Sequence, residues 1–276
     1  MSDPRQPSLL IARVQERIEL DSGSGYLTDA RILTALNDAQ ADLQADILRL
    51  DRGWFLAEYE FDTVAGQTDY ALPTNCRTVK RLEPVVSTGT RFANPRPLEF
   101  GREVEFFGDS LRLIDEPIRV ASYKLTYMQR LPAMSYGTAA AATSATLTLA
   151  ATPTLGNTSP VDDYYNDALI LTTAGTGSGQ LRRMTDYTGD QRQAVVDSAW
   201  TTTPDTTTTY EVLSGLDEDE METLVLGAMA KLMADDGDFE TWQRQFGSEY
   251  AHGLEILTKR RARRQVANNR KWIIKR

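Results

Sequence analysis

Thr28-Asp-Ala-Arg-Ile-Leu-Thr-Ala-Leu-Asn-Asp-Ala-Gln-Ala-Asp-Leu-Gln-Ala-Asp-Ile-Leu-Arg-Leu50 is followed, past Gly53 and Trp54, by Glu58-Tyr-Glu-Phe-Asp-Thr-Val64. In the first run Ile32, Leu36, Ala39, Leu43, Ile47 and Leu50 recur at three- and four-residue intervals, which puts them on one face of a helix. Thr28 stands where a helix cap stands, Asp29 meets the positive end of the helix dipole, and Gly53 is a stop. In the second run apolar and polar residues alternate, the period of a half-buried strand. The chain passes from helix to strand within a few residues.

Upstream, Leu10, Val14 and Ile18 predict a helix from Ser8 to about Leu20, with Ser8 as its N-cap, broken by Asp21-Ser-Gly-Ser-Gly25. The two helices are expected to pair, antiparallel or crossed. Downstream, Ala65-Gly-Gln-Thr68 reads as a turn, Asp69-Tyr-Ala-Leu-Pro73 as a returning strand closed by Pro73, and 76–86, 104–107, 110–114 and 118–128 as further strands. Residues 87–103, with Pro95, Pro97 and Gly101, read as an exposed connection.

Composition changes near Pro132. Residues 138–214 are rich in Ala, Thr, Gly and Ser and hold three Arg and no Lys. Alternation at Thr146–Leu149, Ala168–Thr173 and Gln193–Trp200 predicts a small antiparallel β-domain, a sandwich or a barrel, with Tyr164, Tyr165, Tyr187, Trp200 and Tyr210 as its aromatic core. Gly175-Thr-Gly-Ser-Gly179 reads as a mobile hairpin turn rather than a phosphate cradle. Helix resumes at Asp217, where Asp217 and Glu220 form a capping box and Leu216 and Met221 are placed as a hydrophobic staple. Asp235-Asp-Gly-Asp238 ends it. Phe239, Trp242, Phe246, Tyr250, Leu254 and Leu257 then predict one long amphipathic helix. The chain therefore reads as α+β: a helical bundle from N- and C-terminal helices, a β-rich middle, and an inserted β-domain. Its segments are 1–132 plus 215–258 as core, 138–214 as insertion, and 259–276 as tail.

One His and one Cys remove the usual zinc sites and any intrachain disulfide. His252 lies in a helical run and reads as a helix-face residue. No phosphate-binding loop and no dinucleotide fingerprint are present, and no carboxylate pair is singled out by spacing. An enzyme is not expected, and no cofactor or metal. No stretch is long and apolar enough to span a bilayer, and the N-terminus lacks a signal sequence, so a chain made in the cytosol without membrane contact is expected.

Charge is divided along the chain. Residues 259–276 hold nine of the thirty Lys and Arg and no acid, while 1–258 carry 21 basic against 39 acidic side chains. The candidate binding residues are Lys259, Arg260, Arg261, Arg263, Arg264, Arg270, Lys271, Trp272, Ile273, Ile274, Lys275 and Arg276. Arginine forks suit carboxylate partners, and Trp272-Ile273-Ile274 is an apolar anchor that a purely electrostatic DNA arm does not need. A nucleic-acid-binding protein using this tail is one alternative, opposed by the acidic body. A carbohydrate-binding or hydrolytic protein using Tyr164, Tyr165, Tyr187 and Trp200 as stacking platforms is another.

The helix pair with Leu36-Asn-Asp-Ala-Gln-Ala-Asp-Leu43, the aromatic exit at Trp54, Phe61-Asp-Thr-Val-Ala-Gly-Gln-Thr-Asp-Tyr-Ala-Leu-Pro73, and Leu224-Val-Leu-Gly-Ala-Met-Ala-Lys-Leu-Met233 followed by Phe239 to Leu257 together resemble the head-to-tail adaptor (connector) proteins of tailed bacteriophages. The resemblance covers 1–132 and 215–276. Residues 138–214 depart from it and resemble Thr/Gly-rich β-modules of virion proteins. It implies a non-enzymatic virion protein at the head–tail interface, made in the host cytoplasm and assembled as a homo-oligomeric ring, commonly dodecameric. It implies a portal partner above, a tail, nozzle or fibre partner below, and transient contact with genomic DNA in the channel. The helices 8–52 and 217–258 would then build the ring, the β-module would project outward, and the basic tail would dock on the portal.

Overall fold

The computed structural model describes residues 3–18, 27–50, 53–85, 96–115, 117, 120–235, 237 and 239–259. Two compact units are present. One joins residues 1–52 to 131–276, and the other is 53–130. The boundary at 130/131 falls beside the change of composition at Pro132.

In the larger unit, α1 (Pro7–Ile18) and α2 (Asp29–Leu50) pack on α3 (Met221–Asp235). The α3 sequence is apolar on nearly every side, as suits a helix covered on several faces, and Leu224, Val225, Leu226, Ala228 and Met229 are all buried. The stripe on α2 is buried from Ile32 to Ile47. Thr28 does cap α2, its Oγ1 accepting the Arg31 N–H at 3.3 Å. A 3-10 turn, Glu218–Glu220, precedes α3, and the Glu220 carboxylate accepts the Asp217 N–H at 3.2 Å. Gly237 ends the segment with φ +84, a conformation that costs glycine little.

Ser8 is not the N-cap of α1. The helix starts one residue earlier, with Pro7 in its first turn, where a missing N–H is harmless. Ser8 gives its N–H (3.1 Å) and Oγ–H (2.8 Å) to the carboxylate of Glu211, which is 2% exposed. A buried acid from a distant strand thus does the capping that a local side chain was expected to do. The last helix also differs from expectation. Helix α4 (Phe239–Gln245) ends at a turn on Phe246, and helical backbone resumes over 247–259. Gly247 falls at the interruption, where a residue of poor helix propensity lowers the cost of a break.

The same unit holds a seven-stranded antiparallel sheet: β7 (Ser135–Thr138), β8 (Ala141–Ala142), β9 (Thr146–Thr148), β10 (Leu169–Ala174), β11 (Leu181–Thr188), β12 (Gln193–Val196) and β13 (Thr209–Val212). Their spatial order is β7-β13-β10-β11-β12-β9-β8. The two edge strands, β7 and β8, are neighbours in sequence. Between them, Ala139 gives its N–H to Thr208 O (2.8 Å) and Ala140 to Thr148 O (2.9 Å). One short stretch of chain therefore lines both edges and curls the sheet into a half-barrel, which protects edges that would otherwise invite pairing. The sandwich alternative is not what forms. Inside lie Tyr165, Tyr187, Tyr210, Met184, Ile170 and Trp200. Tyr165 and Tyr187 meet edge-to-face at 4.8 Å.

The glycine-rich segment is the β10–β11 hairpin loop, and it is fastened rather than mobile. Gln180 Nε2 donates to Gly177 O (2.7 Å) and Thr202 O (2.8 Å), and Thr176 Oγ1 to Asp205 (2.7 Å). Gly175 has φ +75, and a Cβ there would stand 2.2 Å from Thr207 O. Glycine is required on both counts.

Asp163 also adopts a positive φ, +62, at the turn before Tyr164. Burial holds its carboxyl above the usual range, partly offset by the Asn166 amide bond at 2.8 Å, with Asp186 and Asp162 adding repulsion. A carboxyl raised in the native state binds its proton longer there than in the unfolded chain. Stability therefore falls as pH climbs through the window above the unfolded value, and the full penalty is present at neutral pH. Asp163→Asn keeps an acceptor for Asn166 and tolerates the left-handed backbone. It is expected to raise the melting temperature at pH 7 and to lose that advantage near about pH 3. Thermal melts at the two pH values check this, and an equal effect at both would rule out the electrostatic cause.

In the smaller unit, β1 (Leu56–Asp62), β6 (Ser122–Gln129) and β3 (Cys76–Pro84) form one three-stranded sheet in the order β1-β6-β3. A second runs β2-β5-β4, from β2 (Asp69–Ala71), β5 (Ser110–Leu113) and β4 (Val104–Phe107). The turn at 65–68 forms, with Gln67 N–H on Val64 O at 3.1 Å, but β1 and β2 are not a hairpin. They belong to different sheets. Tyr70 holds the corner between them: its hydroxyl accepts the Val64 N–H (3.0 Å) and donates to Gln67 O (2.8 Å). The core is small: Leu82, Val104, Leu111, Leu113, Leu125 and Tyr127.

Candidate interaction surfaces

The basic tail, where sequence reasoning put the binding residues, lies almost wholly beyond the described residues. Lys259 is described: it is exposed at the end of the 247–259 helix and pairs with Glu255 at 2.5 Å, holding that carboxyl below its usual range. Arg260, Arg261, Arg263, Arg264, Arg270, Lys271, Trp272, Ile273, Ile274, Lys275 and Arg276 lie outside the described residues. His252 stands on the same helix, 70% exposed, 3.9 Å from Glu255.

Three of the four residues of the expected stacking platform are interior: Tyr165, Tyr187 and Trp200 are at most 5% exposed, so no sugar ring can lie on them. Tyr164, the fourth, is half-buried, and its hydroxyl accepts the Ala133 N–H at 3.2 Å. The hydroxyls of the inner tyrosines are also committed. Tyr165 donates to Asn157 O (3.1 Å), Tyr187 to Ser159 O (2.5 Å), and Tyr210 accepts the Ala150 N–H (3.0 Å). Burial pushes the Tyr187 hydroxyl up to about 12. Cys76 is half-buried, and burial pushes its thiol up to about 11, away from thiolate chemistry. Among the described residues no group of three or more His, Cys, Asp and Glu is arranged to hold a metal, and no helix is long and apolar enough to cross a membrane.

A different surface emerges on the smaller unit. Of the eleven exposed large apolar residues among the described ones, nine lie within 53–130. Four of them lie on the β4–β5 hairpin and its flanks. Phe100 (47% exposed) and Phe106 (38%) meet at 5.2 Å, Phe107 is 52% exposed, and Ile114 follows at 43%. The cause is local. Adjacent strand residues point to opposite faces, so Phe106-Phe107 cannot both enter the core beneath β4. Phe106 shares the face of Val104 and Leu111, leaving Phe107 outside with Arg112, whose guanidinium lies 4.6 Å from the ring centre. Arg112 is in turn held by Asp69 at 2.7 and 3.3 Å. Gly108, φ +59, opens the two-residue turn that makes the hairpin tight. The adjacent pair of phenylalanines in an alternating strand was the signal that sequence reading passed over.

A β unit with a small core and aromatic rings in solvent is the surface of a protein that works by contact. This chain is a structural adaptor of the bacteriophage type. Residues 8–195, well over half of the chain, match the SU10 adaptor protein family, and the chain belongs to it. The match includes residues 138–195, which the resemblance had set aside as a departure, and stops short of 215–276, which it had included. Comparison with curated proteins gives no match.

Proposed function

We propose that this adaptor is a non-enzymatic virion component that forms a ring beneath the portal and links it to the tail, with genomic DNA passing through the channel. The family match carries the reading, and the exposed aromatic surface of residues 53–130 supports it. Rings need two complementary patches per subunit, and in this reading Phe100 and Phe107 lie against the neighbouring copy. The helices contribute further contacts, and the β-module expected at residues 138–214, which together with the rest of β7 makes the half-barrel, faces outward toward a tail, nozzle or fibre partner. The tail, Lys259 to Arg276, docks on acidic and apolar ground between portal subunits. A ring multiplies each weak arm, because every added contact forms at high local concentration. The acidic body suits a conduit, since a basic lumen would hold DNA.

The test is to mix the protein with its portal ring and image the product beside the Δ259–276 form. A second ring stacked on the portal is expected with the full chain. Loss of at least tenfold in portal association is expected on truncation, because charge-assisted contacts worth about 1.5–3 kcal/mol each disappear. Equal binding by both would remove the tail from the joint, and no stacked ring at all would remove the connector reading. Burial of Tyr165, Tyr187 and Trp200 leaves the carbohydrate alternative with Tyr164 alone of its four platform residues, and no observation favours the nucleic-acid alternative.

A further inference from the structure

A cleft of about 550 Å³ opens in the helical part of the larger unit, between α2, α3, α4 and the 247–259 helix. Its walls are Leu43, Trp242 and Tyr250, and Ala39, Gly227, Ala230 and Gly247 line the rest with little or no side chain. Trp242 is held in place by its Nε1–H on Leu226 O (3.2 Å) and by an edge contact with Tyr250 at 5.8 Å between ring centres. A preformed apolar cleft of this size suits a few large apolar side chains.

Its rim is acidic. Asp38, Asp42 and Asp46 follow one another at four-residue spacing along α2, so they share a face. Asp42 lines the cleft itself. Tyr250 feels Asp46 and Asp42: its hydroxyl is raised by burial first and by these two carboxylates next. Two of the acids have partners, Asp42 with Lys231 (2.7 Å) and Asp46 with Arg49 (2.8 Å). Both are surface pairs of small net worth that a second cation can share or replace. Lys231 is the one cation among the lining residues.

The occupant with matching chemistry combines large apolar side chains with flanking positive charge. Arg270-Lys271-Trp272-Ile273-Ile274-Lys275-Arg276 has this order, three apolar residues between two basic pairs. It can also reach. Gly247 and Tyr250 lie twelve and nine residues before Lys259, about 18 and 14 Å back along the helix axis. The thirteen residues from Lys259 to Trp272 span up to roughly 43 Å when extended, enough to turn and return.

We propose that the cleft between α2, α3 and the 239–259 helices seats Trp272, Ile273 and Ile274 of its own chain, with Arg270, Lys271, Lys275 and Arg276 against the Asp38, Asp42 and Asp46 rim. The contact keeps an apolar, highly basic tail out of solution in the lone chain. If the portal reading also holds, the seat competes with the portal for the same residues, so that the tail is released where a better partner is present.

The test uses the full-length chain alone, without portal, so its outcome is separate from that of the ring experiment. A photo-reactive benzoylphenylalanine replaces Trp272, and the cross-links are mapped by mass spectrometry. The expected result is a product of monomer mass joined to 39–43, 227–231 or 242–250. Ala230→Phe, which fills the cleft, is expected to reduce that product at least fivefold. Asp42→Lys combined with Asp46→Lys leaves the cleft's apolar walls in place and is expected to reduce it similarly, which guards against a misfolded filling variant. Cross-links of dimer mass would overturn the intrachain seat in favour of exchange between copies. Cross-links scattered over the chain, absent, or insensitive to both variants would overturn the cleft as the seat.

Discussion

If the proposed ring forms, Phe100→Ser combined with Phe107→Ser is expected to abolish its assembly while leaving the subunit folded. Both rings are about half exposed, at 47% and 52%, so their loss removes little from the interior. Phe107 gives up its contact with Arg112, worth about 0.5–1 kcal/mol at an exposed site. At an interface the same rings count for more, because truncating a buried aromatic anchor costs about 2 kcal/mol or more. Two such losses at each subunit contact correspond to roughly a thousandfold weaker association. The effect recurs at every contact, so a closed ring should disappear altogether. Negative-stain imaging and light scattering read the assembly, and circular dichroism reads the fold. Normal rings from the double variant would show that this surface faces something other than a neighbouring copy.

The second large effect is on stability. Tyr165→Ala is expected to destabilise the larger unit by about 3–5 kcal/mol, the range for removing a fully buried aromatic. Tyr165 is completely inaccessible, packs edge-to-face with both Tyr164 and Tyr187 at 4.8 Å, and fills the centre of the half-barrel. Its hydroxyl fastens the 157–159 segment by accepting the Ser159 N–H (3.3 Å) and donating to Asn157 O (3.1 Å). For a chain of this size each kcal/mol lowers the melting temperature by about 2–4 °C, so a drop of roughly 6–20 °C is expected. Tyr165→Phe separates the two contributions. It keeps the ring and loses the hydroxyl, and about 1–3 kcal/mol is expected for the backbone groups left unsatisfied. A Tyr165→Ala melt within two or three degrees of the parent would mean that the barrel core repacks around the gap, contrary to the rigidity expected of close-packed interiors. The pair of variants also bears on function, since a tyrosine serving as a sugar platform would be exposed and its removal nearly free of cost.

Much of the secondary structure was legible because its causes are local. The α2 stripe, the Thr28 cap, the Asp217–Glu220 box, the Gly237 stop and the period-two runs depend on residues within a turn or two of each other. The strands Cys76–Pro84, Val104–Phe107 and Ser110–Leu113 form close to where alternation put them. Strands β11 and β13 were not foreseen as such. Leu181-Arg-Arg-Met-Thr-Asp-Tyr-Thr188 has a ragged pattern because a register shift falls between Met184 and Asp186, which interrupts the alternation. The candidate site was legible only as composition: the sequence marks residues 259–276 as basic and apolar-tipped, and gives no hint of the aromatic surface unless the Phe106-Phe107 pair is read against the two faces of a strand.

By itself the sequence determined the α+β class, the starts of α2 and α4, the aromatic content of the barrel, and the opposite charge of body and tail. These follow from periodicity, caps and counting, which need no knowledge of distant residues. Tertiary structure alone decided which strands pair, so that Asp69–Ala71 joins Ser110–Leu113 instead of folding back on Leu56–Asp62. It decided that Glu211, 203 residues away from Ser8, caps α1. It also decided that Tyr165, Tyr187 and Trp200 turn inward while Phe100 and Phe107 stay in water. The physical reason is common to all three. Burial and pairing are set by which apolar faces can be covered together, and that depends on the whole chain's packing, whereas a turn or a helix stripe is set by its neighbours.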